Sequence, residues 1–189
     1  FGNSNLKYKS GFVNGDFEEG NLNGFITDGD GRVITQLSYI EPHDGYYMGI
    51  ISTGLGYTEA QGSISQTFCL PDNPNLTWSF NWNFLSEEFM EYVGSQYQDY
   101  FKVLLVDQNG TEHTLFSKSI YEIAAGYELT HVSPEIVFDR GDVYGTGWLD
   151  LQLDLSAYAG QHVTLIFAAS DIGYSIYDSA ILLDNITIE

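Results

Sequence analysis

Leu76, Trp78, Phe80, Trp82 and Phe84 alternate with Thr77, Ser79, Asn81 and Asn83, and this period of two restricts the fold more than any other feature of the sequence. Successive side chains of an extended strand point to opposite faces, so such a row buries one face and wets the other, whereas a helix would scatter it around its circumference. Phe101, Val103 and Leu105 repeat the pattern ahead of the turn-forming run at 107–110, and Leu115 falls in the strand that follows. Val163, Leu165, Phe167 and Ala169 form another row, and Leu182, Ile186 and Ile188 close the sequence. Asn-Gly and Asp-Gly pairs beginning at Asn14, Asn23, Asp28, Asp30, Asp44 and Asn109 read as turns between strands. Only residues 119–132 differ: Ile120, Ile123, Ala124 and Tyr127 are spaced as in a short helix, within what reads as an elaborated loop. No repeat or linker divides the sequence. The expectation is one domain over residues 1–189, all-β, a jelly-roll β-sandwich of two antiparallel sheets with elaborated loops at one end. Its first and last strands are expected to lie close together.

Charge narrows the function. Six Lys and Arg against 26 Asp and Glu give a net charge of −20. That field repels nucleic acid and anionic lipid and attracts divalent cations. An acidic surface also serves solubility alone, so the placement of individual acids matters more than their number. The single Cys69 excludes an internal disulfide, and its apolar neighbours predict a small buried residue. No apolar run is long enough for a membrane-spanning helix. The abrupt start of the sequence reads as a segment of a longer, multidomain protein, within which the domain is expected to act as a monomer.

Several acids fall on the apolar parity of a strand. The row from Trp78 to Phe84 continues through Ser86 to Glu88, and the row of Phe101 begins at Asp99. Ala169 is followed in step by Asp171, and counting back from Ile188 and Ile186 reaches Asp184, Leu182, Ala180 and Asp178. A carboxylate turned toward a core costs on the order of several kcal/mol unless protonated, paired or bound to metal. With so few cationic side chains, calcium is the natural partner, because it takes roughly six to eight oxygens from carboxylates, carbonyls and water. Zinc fits poorly: His43, His113, His131 and His162 are scattered, and one thiol makes no zinc site.

Two sets of motifs carry a family resemblance. Asn14-Gly-Asp16-Phe-Glu18-Glu-Gly20 near the start, with Leu183-Asp184-Asn185-Ile186 at the end, resembles the jelly-roll pattern of many carbohydrate-binding modules. There an early acid and a late Asp hold a structural calcium, which implies Asp16 or Glu18 together with Asp184 here. Ser86-Glu87-Glu88-Phe89, Gly94-Ser95, Asp99-Tyr-Phe101, Gly145-Thr-Gly147-Trp148, Asp154-Leu-Ser156 and the stretch from Asp171 to Asp178-Ser-Ala180 resemble the calcium-dependent peptide-binding domains of bacterial RTX adhesins. That resemblance implies a calcium pocket of Glu88, Asp99, Asp171 and Asp178 at one end of the sandwich, walled by Tyr97, Tyr174 and Tyr177. It implies a secreted module at the bacterial cell surface that binds a protein or peptide, such as the free C-terminus of a polypeptide, in cell adhesion or biofilm formation. The alternative is a carbohydrate-binding module. Such modules commonly expose Trp along a cleft, whereas Trp78 and Trp82 lie on the inward row and Trp148 in a Gly-rich turn, which favours peptide over glycan.

Other signals are weaker. Arg140-Gly141-Asp142 spells an integrin-type tripeptide but reads better as a turn. Asp28-Gly-Asp30-Gly-Arg32 lacks the third acid and the closing Glu of a calcium loop and reads as a hairpin turn. The sequence has no nucleophile elbow, phosphate loop or His-Glu-x-x-His, and adjacent Glu87 and Glu88 point to opposite faces of a strand, so they cannot flank one glycosidic bond. Binding, not catalysis, is the expected activity.

Overall fold

A computed structural model describes residues 11–55, 61–90, 94–96, 98–171 and 177–189. Its strands are β1 (Ile26–Ile34), β2 (Met48–Ser52), β3 (Gln61–Cys69), β4 (Thr77–Ser86), β5 (Tyr100–Val106), β6 (Glu112–Ser119), β7 (Thr130–His131), β8 (Tyr144–Gly145), β9 (Leu149–Asp154), β10 (His162–Ser170) and β11 (Ser179–Ile188). Every pairing is antiparallel. One layer runs β6-β5-β10-β3 and the other β2-β11-β4, with β8 and β9 both on β4 and β7 outside β8. The two layers are not separate sheets. β1 belongs to both, because Ile26 to Gly29 pair with β3 while Asp30 to Ile34 pair with β2.

That crossing sits where the sequence reads as a hairpin turn. Gly29 and Gly62 face each other across the β1–β3 ladder. Gly29 has φ +66, and a Cβ there would lie 2.0 Å from the Gln61 carbonyl; one at Gly62 would lie 2.3 Å from the carbonyls of Asp30 and Ser52. The Asp-Gly-Asp-Gly run therefore lets one strand bend between layers, a task that a side chain on either glycine would block.

The inward row of β4 makes the core as its alternation predicts. Trp78 and Phe80 pack edge-to-face on Phe167 of β10 at 5.0 and 4.9 Å, and Trp82 lies 5.4 Å from Phe101 of β5. A second, smaller core covers the other face of β4 and β11. Leu85, Ala180, Leu182, Met48 and Ile50 are buried there by Val132, Ile136 and Val143. Residues 119–132 contain the anticipated helix, α1 (Ile120–Gly126). A capping box starts it: Ser119 Oγ accepts from the Glu122 amide, and a Glu122 carboxylate oxygen accepts from the Ser119 amide. Its buried Ile120 and Ile123 join the main core.

Two sequence expectations are corrected. Cys69 is exposed, because it occupies the outward parity of β3 between buried Phe68 and Leu70. The parity of β11 also reverses. Asn185 takes a left-handed φ of 49, and the β11–β4 register shifts between Asp184 and Thr187. Ile186 thus shares the main core with Leu183 and Ile181, while Leu182 and Ala180 face the second core.

Candidate functional site

Three strand rows do deliver acids to one end of the sandwich. The Glu88 amide donates to Ser86 Oγ at 2.9 Å, and Glu88 Oε2 accepts from the Asp99 amide at 3.1 Å. Glu88, Asp99 and Asp171 each bring a carboxylate oxygen within 4.8 Å of the others. Glu88 is 2% exposed and Asp99 0%. Both carboxylate oxygens of Asp99, and Oδ1 of Asp171, are buried without a hydrogen bond of good geometry, Ser179 and Asp171 being the polar side chains that stand beside Asp99. Burial pushes Glu88 up to about 7, helped by the charge of Asp171 and opposed by the Asp99 amide. Burial and then the Glu88 charge raise Asp99 well above the usual carboxylate range, against a smaller opposing effect of Ser179. Asp171 is raised by burial as well.

Three converging carboxylates with orphaned oxygens suit a hard cation. Such a group is otherwise self-repelling, and no described Lys or Arg forms an ion pair with it. An all-oxygen donor set matches calcium rather than zinc.

Asp178 is buried at 4% exposure but stands outside this group of three. Its amide donates to Glu87 Oε2 at 3.1 Å. The inward residue at that point of β11 is Ser179, paired with Ser86 and donating to its Oγ at 2.7 Å. The Asn185 reversal explains the difference from the sequence count, and Ser179 is the residue that count misses. A polar Asn directly after Asp184, able to adopt the left-handed conformation, is the one signal that points to it. Tyr97 and Tyr174 lie outside the described residues. Tyr177 packs toward the turn at 139–141, its Cδ1 3.6 Å from where a Gly141 Cβ would stand. Glu87, just beyond the end of β4, has different partners from Glu88. Its Oε1 accepts from the amides of Asp139, Arg140 and Gly141 at 2.7, 2.9 and 3.2 Å, so the Arg140-Gly141-Asp142 turn is shaped from below by a buried carboxylate.

The early and late acids sit elsewhere, at the 44–47 loop. Asp184, 0% exposed, accepts from the amides of Asp44 at 3.0 Å and Asn185 at 2.7 Å, and burial raises it to about 6. Glu18 Oε1 accepts from the amides of Tyr46 and Tyr47 at 2.7 and 2.9 Å. Asp16 accepts from the Glu18 amide. Glu18 and Asp184 therefore grip the same 44–47 loop, while Asp16, Glu18 and Asp184 do not converge as a three-carboxylate group.

The adjoining 39–43 segment borders a cleft of about 430 Å³ on the outer side of β4, lined among others by Tyr39, Glu41, His43, Asn83, Thr130 and Trp148. Trp148 is half-buried, with its indole N–H donating to the Glu41 carbonyl at 3.2 Å and its ring 5.8 Å from His43. Tyr39 is 55% exposed. The indole is thus pinned at its edge while it lines an open cleft. In the sequence Trp148 reads as a turn residue, because nothing local shows that the 39–43 loop comes to stand opposite it.

No family model and no curated protein matches this sequence. Solved structures do. TmCBM61 in complex with β-1,4-galactotriose superposes with a TM-score of 0.54 at 14% identity, over 96% of this protein and 98% of that one. Caldicellulosiruptor saccharolyticus CBM27-1 in complex with mannohexaose gives 0.54 at 15%, over 91% and 93%. The non-crystalline-cellulose-specific carbohydrate-binding module CBM28 gives 0.51 at 13%, over 94% and 93%. The fold is the β-sandwich that these three proteins share. At these identities the likeness carries the architecture and leaves the ligand to be argued from this protein's own residues.

Proposed function

We propose that this protein is a non-catalytic module that binds an uncharged glycan in the Trp148 cleft. The observation that carries this reading is the indole of Trp148, held by the Glu41 carbonyl while lining an open cleft with Tyr39, His43 and Asn83. Sugars present apolar C–H faces and hydroxyl edges, which suit a flat aromatic wall beside a few oriented polar groups. A net charge of −20 disfavours anionic polysaccharides and leaves neutral ones unaffected. The case for a peptide ligand leans on a shortage of open aromatic platforms, which Trp148 and Tyr39 remove. Adhesion at a bacterial surface remains compatible with this reading, the ligand being a surface glycan. We also propose that Glu88, Asp99 and Asp171 hold a calcium ion that stabilises one end of the sandwich.

The test is a glycan array that includes β-1,4-galactans and β-mannans, run beside a peptide array, each with calcium and with chelator. Expected are glycan signals that Trp148→Ala weakens at least about tenfold, or about 1.4 kcal/mol, in samples that still melt cooperatively above the assay temperature despite the packing the indole gives the second core. Peptide binding that survives Trp148→Ala, with no glycan signal, overturns the proposal.

A further inference from the structure

The loop that walls the Trp148 cleft has a second open side. There a depression of about 560 Å³ is lined by Thr35, Gln36, Glu41, Pro42, Gly45, Tyr46 and Tyr47. Glu41 and Pro42 line both clefts, so the two are contiguous across that dipeptide. Tyr46 is 78% exposed, more than any other large hydrophobic side chain described. Exposure of that kind is usual on a loose loop, but this loop is held from beneath. Glu18 takes the Tyr46 and Tyr47 amides and Asp184 the Asp44 amide. Gly45, at φ +69, lies so close that an added Cβ would stand 2.3 Å from Glu18 Oε1. Two carboxylates thus set the backbone that presents an aromatic ring to solvent, and a preorganised loop loses little entropy when a ligand lands on it.

Resting on the glycan reading, we infer that the Tyr46–Tyr47 cleft is a second sugar subsite. The ligand is then a linear, uncharged polysaccharide that passes over Glu41 and Pro42 and fills both clefts, rather than a terminal sugar held in one. The charge argument is sharper here than for the molecule as a whole, because Glu41 stands at the junction and would oppose a uronic acid or a sulfated unit. The polar groups around the path, Thr35, Gln36, His43 and Asn83, serve hydroxyls. Two weak sites joined in one ligand also gain from effective concentration, so affinity must rise steeply once the ligand is long enough to reach both.

The experiment is calorimetric titration with manno-, galacto- and cello-oligosaccharides, all β-1,4-linked, from disaccharide to hexasaccharide. Expected is affinity that climbs with length in at least one series. Tyr46→Ala cuts the hexasaccharide affinity about tenfold and leaves the disaccharide unchanged, while Trp148→Ala weakens both. Tyr46 is exposed, so its variant keeps the wild-type melting temperature, which is checked in the same samples. Affinity independent of length, or a hexasaccharide indifferent to Tyr46→Ala, overturns the second subsite alone. Absence of binding at every length in all three series overturns the glycan reading together with it.

Discussion

Asp99 is the residue at which burial and like charge most oppose the fold. Its carboxylate is fully enclosed, has no hydrogen bond of good geometry and faces Glu88 and Asp171. Because burial raises Glu88 to about 7 from 4.5, the folded, metal-free protein binds protons more tightly than the unfolded polypeptide. The stabilisation from the protonated acid is therefore full below about pH 4.5 and is lost as pH rises through about 7, on the order of 3 kcal/mol for Glu88. Asp99 and Asp171, both raised, act in the same direction. In chelator, the melting temperature is thus expected to fall between about pH 4.5 and 7. Asp99→Asn, which removes one of the repelling charges, should melt higher than wild type in chelator at neutral pH and should lose the response to calcium. A variant that melts lower in chelator, or that keeps the calcium response, would show that the three acids do not act as one cation site.

At the scale of elements, β1 and β11 carry the two irregularities that matter. Gly29 lets β1 leave one layer for the other, and Asn185 lets β11 turn its parity over within a few residues. Gly29→Val would place a branched side chain at φ +66, 2.0 Å or less from the Gln61 carbonyl. A loss of more than about 2 kcal/mol is expected, since left-handed strain alone costs about 1–2 kcal/mol and the clash adds to it. Gly110→Ala, also at positive φ (80) but with open space around the site, serves as the control and should cost less. Urea unfolding of both variants separates the two effects: equal losses would mean that close packing at the crossing is unimportant. Alternation in β3, β4, β5 and β10 is legible because each strand keeps one parity throughout. It fails on β11, where a single left-handed residue changes which side chains face the core.

For the molecule as a whole, the balance of charge sets the conditions of stability. With 26 acidic side chains against six basic ones, the proposed calcium ion would both fill the Glu88–Asp99–Asp171 group and reduce the general repulsion. Mass action then predicts a gain of about 2.7 kcal/mol at a calcium concentration about one hundred times Kd, read as a rise in melting temperature that magnesium reproduces poorly because it demands a tighter octahedron. Salt should raise the melting temperature of the metal-free protein by screening, without matching the effect of calcium at equal ionic strength. A melting curve that calcium leaves unmoved removes the cation site from the proposal and leaves the Trp148 cleft untouched.

By itself the sequence determined the class of fold, the inward aromatic rows, the short helix and the approach of strand-end acids that include Glu88 and Asp99, because each follows from period-two geometry, a local cap or a strand end. The sequence also counted Asp178 among those acids, and the structure groups only Asp171 with the first two. Tertiary structure alone decided that β1 serves both layers, that Ser179 rather than Asp178 faces inward, that Glu18 and Asp184 brace the 44–47 loop, and that Trp148 lines an open cleft. The physical reason is distance along the sequence. Local preferences act over one or two turns of backbone, whereas a cleft is made by loops as far apart in sequence as Glu41 and Trp148, and their meeting depends on the packing of every strand between them.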